Sequence, residues 1–169
     1  MPSPNMPTPD TALLYPGLCL FEATNMSEGR GTTRPFEIVG APYLGAHRFC
    51  ASLNALGLGG VKFRPIQFEP TFNKHARQLC EGCFVHVLDR TAFEPVLTYV
   101  AILQETIRQT RVCFEWKQPP YEYEFEKLPI DILAGNGWLR PAIENLEPLP
   151  GIRERFADGC TGFAASEVK

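Results

Sequence analysis

Apolar residues recur at helical spacing in two long stretches of the chain. Over residues 46–56 they fall three or four positions apart, and Gly57 stands where a left-handed C-cap is typical. The same spacing continues over 96–107, and residues 91–94 before it have the Thr-x-x-Glu form of a capping box. Pro95 falls in the first turn, where its missing N–H does no harm. The pattern therefore predicts two amphipathic helices.

Other segments show the period of two that is typical of strands. Residues 61–68 alternate apart from Pro65, which predicts an edge strand or a bulge. Residues 83–88 are β-branched and aromatic, and they predict a second strand. The short apolar run 18–21 and the segment 35–39 are interpreted as a buried strand and as a strand or extended piece.

The remaining segments complete the predicted class. The first eighteen residues hold five prolines, so 1–18 is predicted to be an extended Pro-rich segment. Residues 114–116 are interpreted as strand and 117–125 as an exposed loop or edge strand, while two short helices are predicted over 130–133 and 138–146. Strands and helices interleave, which predicts a single α/β or α+β domain over 1–169, with a mixed sheet flanked by helices.

Composition narrows the classes of function. With 169 residues and 44% apolar content, the chain is long enough for one globular domain with its own core. A net charge of −3 gives no basic excess to displace counterions, so no nucleic-acid partner is expected. No run of eighteen apolar residues occurs, so no membrane insertion is expected, and the N-terminus has no basic start followed by an apolar stretch.

Six cysteines occur at positions 19, 50, 80, 83, 113 and 160. Cys80 and Cys83 form a C-x-x-C, which is compatible with half a zinc site, a redox pair or a structural role. A zinc site needs about four ligands, and no second C-x-x-C or histidine pair lies nearby. A thioredoxin-like pair would open a helix after a strand, whereas this motif is predicted to precede a strand. We interpret the pair as structural and expect no metal and no cofactor.

The segment from Glu22 to Glu37 concentrates polar chemistry. It holds three carboxylates, Arg30 and Arg34, and Gly29 and Gly31 in a stretch without helical or strand periodicity. The guanidiniums are planar donors suited to a carboxylate or a phosphate. Two alternatives stay open from the residues alone: a loop whose Arg and Glu side chains pair with one another, or a binding site. Paired carboxylates are also the groups that hydrolyse glycosides.

Three further residues are candidates for binding groups. Lys74 and His75 lie in a polar cluster just after the predicted strand 61–68, where binding groups are common. They could contact a substrate, although the residues alone favour ordinary surface positions. His86 lies inside an apolar strand, which favours a core or interface histidine.

The order of residues resembles the NamZ-type exo-β-N-acetylmuramidases, a bacterial family formerly known as a domain of unknown function. The Glu22–Glu37 segment, Glu-x-Thr-Asn-x-Ser-Glu-Gly-Arg-Gly-Thr-Thr-Arg-Pro-Phe-Glu, carries most of this resemblance. Further matching segments are Pro2–Thr8, Tyr15–Gly17, Gly40–Pro42, Phe63–Pro65, Pro70–Lys74 and His86–Arg90.

The resemblance implies a function and a domain context. Members of the family remove terminal N-acetylmuramic acid from peptidoglycan fragments, in the bacterial periplasm or outside the cell. They have a Rossmann-like N-terminal subdomain and a C-terminal auxiliary subdomain, with the active site in the cleft between them. This chain matches the auxiliary subdomain. We therefore expect a C-terminal fragment that lacks the Rossmann-like subdomain with its principal catalytic glutamate, and that is inactive by itself.

The chemistry of the substrate that the resemblance implies suggests roles for individual residues. Arg30 or Arg34 is expected to bind the lactyl carboxylate of N-acetylmuramic acid, and Glu22 and Glu28 are candidates for a second catalytic carboxylate or a water-orienting base. The other expected substrate contacts are Asn25, Thr32, Thr33, Lys74, His75 and His86. The alternative function is a non-catalytic module that binds muropeptides or another acidic glycan.

Overall fold

A computed structural model describes residues 6–167, with side chains described as far as residue 160. The elements in chain order are α1 (Pro9–Leu18), a 3-10 helix (Cys19–Ala23), β1 (Ile38–Ala41), α2 (Ala46–Ala55), β2 (Val61–Phe68), β3 (Cys80–Val87), α3 (Pro95–Thr110), α4 (Pro129–Ala134), α5 (Leu139–Glu144) and α6 (Leu149–Glu167).

The sheet has three strands in the order β1-β3-β2. Both strand pairs are antiparallel, with Val39 opposite Cys83 and Phe63 opposite Val85. The predicted class of mixed helix and strand is confirmed. The sheet is antiparallel throughout rather than mixed, which corresponds to the α+β alternative. Pro65 lies on the edge strand β2, as predicted, and an edge strand is where a residue without an N–H is tolerated in a sheet.

One face of the sheet packs against the helices. Phe49 and Leu53 of α2 and Tyr99 and Leu103 of α3 are almost completely buried in the same cluster as Phe63 of β2. Burying each such side chain stabilises the fold by about 1.5–3 kcal/mol. This cluster fixes α1 and the 3-10 helix as well, and so it positions the polar loop that follows them.

Several predicted elements are confirmed. Helix α2 ends before Gly57, which has a φ of 65°. Strand β2 has the predicted bounds, and α3, α4 and α5 lie where the apolar spacing placed helices. Gly135 follows α4 in the left-handed region and ends it.

The prediction of an extended N-terminal segment is wrong from Pro9 onward. Pro9–Leu18 is helical rather than extended, and residues 1–5 of the predicted segment lie outside the described part. The Thr8 hydroxyl accepts the Thr11 N–H at 3.1 Å, and Pro9 stands in the first turn, where proline favours a helix. The run 18–21 continues as the end of α1 and the 3-10 helix, so it forms no strand.

Other local predictions also differ from the structure. The capping box is not formed, because the Thr91 hydroxyl donates to Asp89 at 2.6 Å and Glu94 pairs with Arg153. Residues 114–116 form no strand, and Trp116 makes a single bridge to Thr24. Strand β3 begins at Cys80, so the C-x-x-C lies inside a strand rather than before it.

Candidate functional site

The Glu22–Glu37 loop lies closely against the segment that follows β2. Gly29 and Gly31 have φ values of 77° and 81°, which glycine adopts without steric cost. The Gly31 carbonyl accepts the Thr71 N–H at 2.9 Å, and a Cβ on Gly31 would lie 2.8 Å from the backbone of Phe72. The glycine therefore permits a close approach between the two loops.

Arg30 joins both candidate carboxylates. Its Nη2 donates to Glu22 Oε1 at 2.9 Å, and its Nε donates to Glu28 Oε1 at 3.0 Å. The second oxygen of Glu28 accepts from Lys74 Nζ at 2.9 Å. Because Glu28 is only 2% exposed, its charge depends on these two cations for compensation.

A small cavity opens beside this network. It has a volume of about 140 Å³ and is lined by Glu22, Glu28, Arg30 and Lys74 together with Asn73, Lys117 and Tyr121. The sequence left open whether the Arg and Glu side chains of this loop pair with one another or form a binding site. Arg30 does pair with Glu22 and Glu28, and these paired side chains line a cavity. The structure brings together Glu22, Glu28, Arg30 and Lys74 from the predicted site residues.

Tyr121 closes the cavity from a segment distant in the chain. Its hydroxyl donates to Glu22 Oε2 at 3.2 Å. Burial, together with the Glu22 carboxylate, raises the pKa of Tyr121 to about 12, so the phenol stays a hydrogen-bond donor. Neither Tyr121 nor Lys117 was predicted as a site residue. The only signal in the sequence was the alternation of aromatic and acidic residues over 117–125.

Lys74 is a partly buried structural cation. Besides Glu28, its Nζ donates to the carbonyls of Phe21 at 2.8 Å and Met26 at 3.1 Å. Burial lowers its pKa, and the Glu28 carboxylate opposes this shift. The surface position favoured by the sequence is therefore wrong for Lys74.

Asn25 and His75 hold the loop in place. The Asn25 amide donates to the Cys113 carbonyl at 2.7 Å and accepts from the Tyr43 hydroxyl at 2.7 Å. The Nε2 atom of His75 lies 2.6 Å from the backbone carbonyl oxygen of Asn25. These bonds tie the loop to residues 113–115, and they engage both atoms of the Asn25 amide.

Thr32, Thr33 and Arg34 do not line the small cavity. Thr32 and Thr33 line a second, wider cavity of about 740 Å³ together with Glu69 and Phe72. Arg34 is half exposed and makes one long contact, 3.5 Å, with Glu37. Of the predicted site residues, four line the small cavity and two line the wider one, whereas Asn25, Arg34 and His75 line neither.

His86 is separate from both cavities. Its ring stacks on Phe84 with a centroid distance of 4.4 Å, and its Nε2 accepts from Arg64 Nε at 3.2 Å. Both partners lie on the sheet face opposite the main core. Burial and then the Arg64 guanidinium lower the pKa of His86. The structure does not bring this residue to the other candidates.

The C-x-x-C thiols lie on opposite faces of the sheet, as residues three apart in a strand must. Cys83 belongs to the main core, whereas Cys80 packs with Ile38 and Phe68 on the other face. Burial raises the pKa of Cys80 to about 11 and that of Cys83 well above its ordinary value, which disfavours reactive thiolates. Two thiols that diverge in this way cannot share one metal ion, and within residues 6–160 no group of three metal-ligating side chains is found.

No helix in the described part of the chain is both long and apolar enough to span a bilayer.

The fold and the site define a small α+β domain that presents a cavity lined by carboxylates and cations. Residues 13–169 match the family described as "Exo-beta-N-acetylmuramidase NamZ, C-terminal", and the chain belongs to this family, as its sequence predicted. The chain is 45% identical over 170 residues to the peptidoglycan beta-N-acetylmuramidase NamZ of Bacillus subtilis (strain 168), with 100% of this chain and 39% of that protein covered.

Two crystal structures share the fold. Both are DUF1343 family proteins from Bacteroides fragilis NCTC 9343. The first is 24% identical with a TM-score of 0.75 and covers 90% of this chain and 39% of that chain. The second is 22% identical with a TM-score of 0.61 and covers 97% of this chain and 41% of that chain. The chain thus spans about two fifths of the length of the relatives it matches.

Proposed function

We propose that this chain is the substrate-contacting C-terminal part of a peptidoglycan β-N-acetylmuramidase, which removes terminal N-acetylmuramic acid from peptidoglycan fragments. The observation that carries the proposal is the cavity in which Arg30 and Lys74 hold Glu22 and Glu28, in a chain 45% identical to a named muramidase. Glycoside hydrolysis commonly uses two carboxylates on either side of the scissile bond. In this proposal one of the two carboxylates is Glu22 or Glu28 of the small cavity, and the other belongs to an N-terminal subdomain.

Glu22 and Glu28 differ in the role that each suits. Glu22 is partly exposed and faces the cavity with Tyr121 on its second oxygen, so it is the better candidate to orient a water molecule or to act as a base. Glu28 has both oxygens bonded to cations, so it is the better candidate for a residue that positions Arg30 and Lys74. Thr32 and Thr33 remain proposed contacts for a more distant part of the substrate, along the second cavity. The half-exposed Arg34, which follows them in the chain, remains a proposed contact as well.

A second candidate function rests on a specific observation. Both carboxylates of the small cavity are ion-paired, and Glu28 is almost completely buried. A non-catalytic module that binds an acidic glycan would need only the cations of this wall, with the carboxylates serving to hold them.

A chimeric enzyme separates the two functions. The 169-residue chain replaces the matching C-terminal part of the Bacillus subtilis relative, and hydrolysis of a chromogenic N-acetylmuramide is measured beside the relative itself and this chain alone. We expect activity from the chimera and none from the chain alone. Glu22→Gln in the chimera should lower kcat roughly 100-fold or more, whereas the exposed Glu126→Gln should leave it unchanged.

Two outcomes contradict the enzymatic proposal. A folded chimera without activity, beside an active relative, would reject it. Unchanged kcat in both Glu22→Gln and Glu28→Gln would favour the binding module, which predicts that the chain alone binds N-acetylmuramic acid in calorimetry.

A further inference from the structure

Three cations line the small cavity, and two of them are already neutralised. Arg30 is paired with Glu22 and Glu28, and Lys74 is paired with Glu28. Within residues 6–160, none of the ion pairs found involves Lys117. Its ammonium lies over the Tyr121 ring, 5.2 Å from the centroid. Lys117 is therefore the cation of this cavity whose charge no carboxylate compensates.

The backbone holds Lys117 at the edge of the cavity. Its N–H donates to the Ala23 carbonyl at 2.8 Å, directly beside Glu22. The preceding residue, Trp116, makes a bridge to Thr24, and its indole N–H donates to Glu144 at 2.8 Å. The exposed side chain thus extends from a fixed point, lies against the Tyr121 ring and lines the cavity.

The formal charges of the lining favour an anionic ligand. Glu22 and Glu28 contribute −2, and Arg30, Lys74 and Lys117 contribute +3, so the lining carries a net formal charge of +1. A ligand with one negative charge neutralises this excess. Recruiting Arg30 instead would separate it from Glu28, whose carboxylate is buried and would lose one of its two cations.

We infer that Lys117 is the specificity-determining residue that binds the carboxylate of the substrate in this cavity. The inference rests on the proposed function. In it, Lys117 selects substrates in which a sugar bears a carboxylate on a short flexible arm. An ammonium with three rotatable donors suits such an arm, because it imposes no planar geometry on the partner. The role differs from the expectation that Arg30 or Arg34 binds this group.

The test compares two probes that differ only in this charge. One is a chromogenic N-acetylmuramide, and the other is the same compound with its lactyl carboxylate converted to a neutral amide. In the chimera, Lys117→Met should raise KM for the acid roughly 10- to 100-fold with kcat nearly unchanged, as expected for a lost charge-assisted hydrogen bond. KM for the amide should change little. Lys117→Arg should retain most of the preference, and Lys62→Met, an exposed lysine on β2, serves as the control.

Binding supplies a second readout that does not depend on turnover. Calorimetry with N-acetylmuramic acid and with its lactyl amide should show the same selective loss in the folded Lys117→Met chimera. An equal loss for acid and amide, no loss for either, or a selective loss in Arg30→Met but not in Lys117→Met would overturn the inference. An inactive chimera whose binding follows the expected pattern would reject the hydrolytic function alone and retain the role of Lys117.

Discussion

Glu28 is the residue of the loop whose charge most needs its partners. It is 2% exposed, and each carboxylate oxygen is bonded to a different cation, Arg30 or Lys74. Removing a partner from a buried ion pair leaves an uncompensated charge and typically costs about 3–5 kcal/mol. Because the Lys74 ammonium also binds two carbonyl oxygens, its loss leaves further buried acceptors without a donor.

We therefore expect Lys74→Met to lower the free energy of unfolding by about 3 kcal/mol. Urea unfolding followed by circular dichroism measures this change. Lys62→Met removes an equally long but exposed lysine and should change the free energy by less than about 0.5 kcal/mol. Equal stability of the two variants would show that Glu28 does not depend on Lys74.

His86 should titrate below the usual value of 6.5, because burial and the Arg64 guanidinium disfavour its imidazolium form. Since the unfolded chain then binds the proton more readily, this histidine makes the fold less stable as the pH falls below 6.5. The NMR shift of the His86 ring protons measures the midpoint directly. Arg64→Gln should raise that midpoint, and an unchanged midpoint would contradict the contribution of Arg64.

Single residues also define the limit of prediction from sequence at the site. Arg30 and Glu28 are two positions apart, so their pairing was among the alternatives that the loop composition allowed. Tyr121 and Glu22 are 99 positions apart, and no local pattern links them. Only the packing of residues 113–117 against the loop brings Tyr121 and Lys117 to the cavity.

At the scale of elements, the contact between the polar loop and the segment after β2 depends on Gly31. Its φ of 81° and the 2.8 Å approach of the Phe72 backbone leave no room for a side chain. Gly31→Ala should therefore lower the free energy of unfolding by more than about 1 kcal/mol. Thermal unfolding measures the loss.

Gly137→Ala is the matched control for this substitution. Gly137 has open space around its Cα and is not among the glycines with positive φ. Alanine there should be neutral or stabilising by up to about 1 kcal/mol, because it restricts the unfolded chain. A Gly31→Ala variant as stable as Gly137→Ala would mean that the loops can separate without cost.

Elements whose apolar residues recur with a clear period were predictable from the sequence. Features that depend on which hydrogen-bond partner a single side chain takes, such as helix caps, were not. Helices α2 and α3 have apolar residues at helical spacing that become buried, and β2 alternates clearly over its first half, before Pro65. The capping box failed because the helix begins later than predicted, with Glu94 rather than Thr91 at the N-cap, and the Thr91 hydroxyl donates to Asp89 instead. The prolines predict an extended segment at α1, whereas Thr8 caps the helix and Pro9 lies in its first turn, where proline favours a helix.

At the scale of the whole molecule, one continuous core connects every helix and the inner face of the sheet. Trp116 and Trp138 both pack against this core. Trp138 directly precedes α5, and the indole N–H of Trp116 donates to Glu144 at the end of α5. The ring of Trp116 lies 4.9 Å from that of Phe114, and the ring of Trp138 lies 5.1 Å from that of Phe156, so the two indoles report on different neighbourhoods. A core shared in this way should unfold cooperatively.

We expect the 169-residue chain to show a single unfolding transition in urea, with a slope of about 1–3 kcal/mol/M. The single-tryptophan variants Trp116→Phe and Trp138→Phe separate the two fluorescence signals, and each midpoint is compared with that from circular dichroism of the same variant. Coincident midpoints are expected, because the segment bearing Lys117 and the helices around Trp138 share one core. An earlier transition at Trp116 alone would mean that the wall of the candidate site opens independently, and that its cavity needs a further partner to keep its geometry.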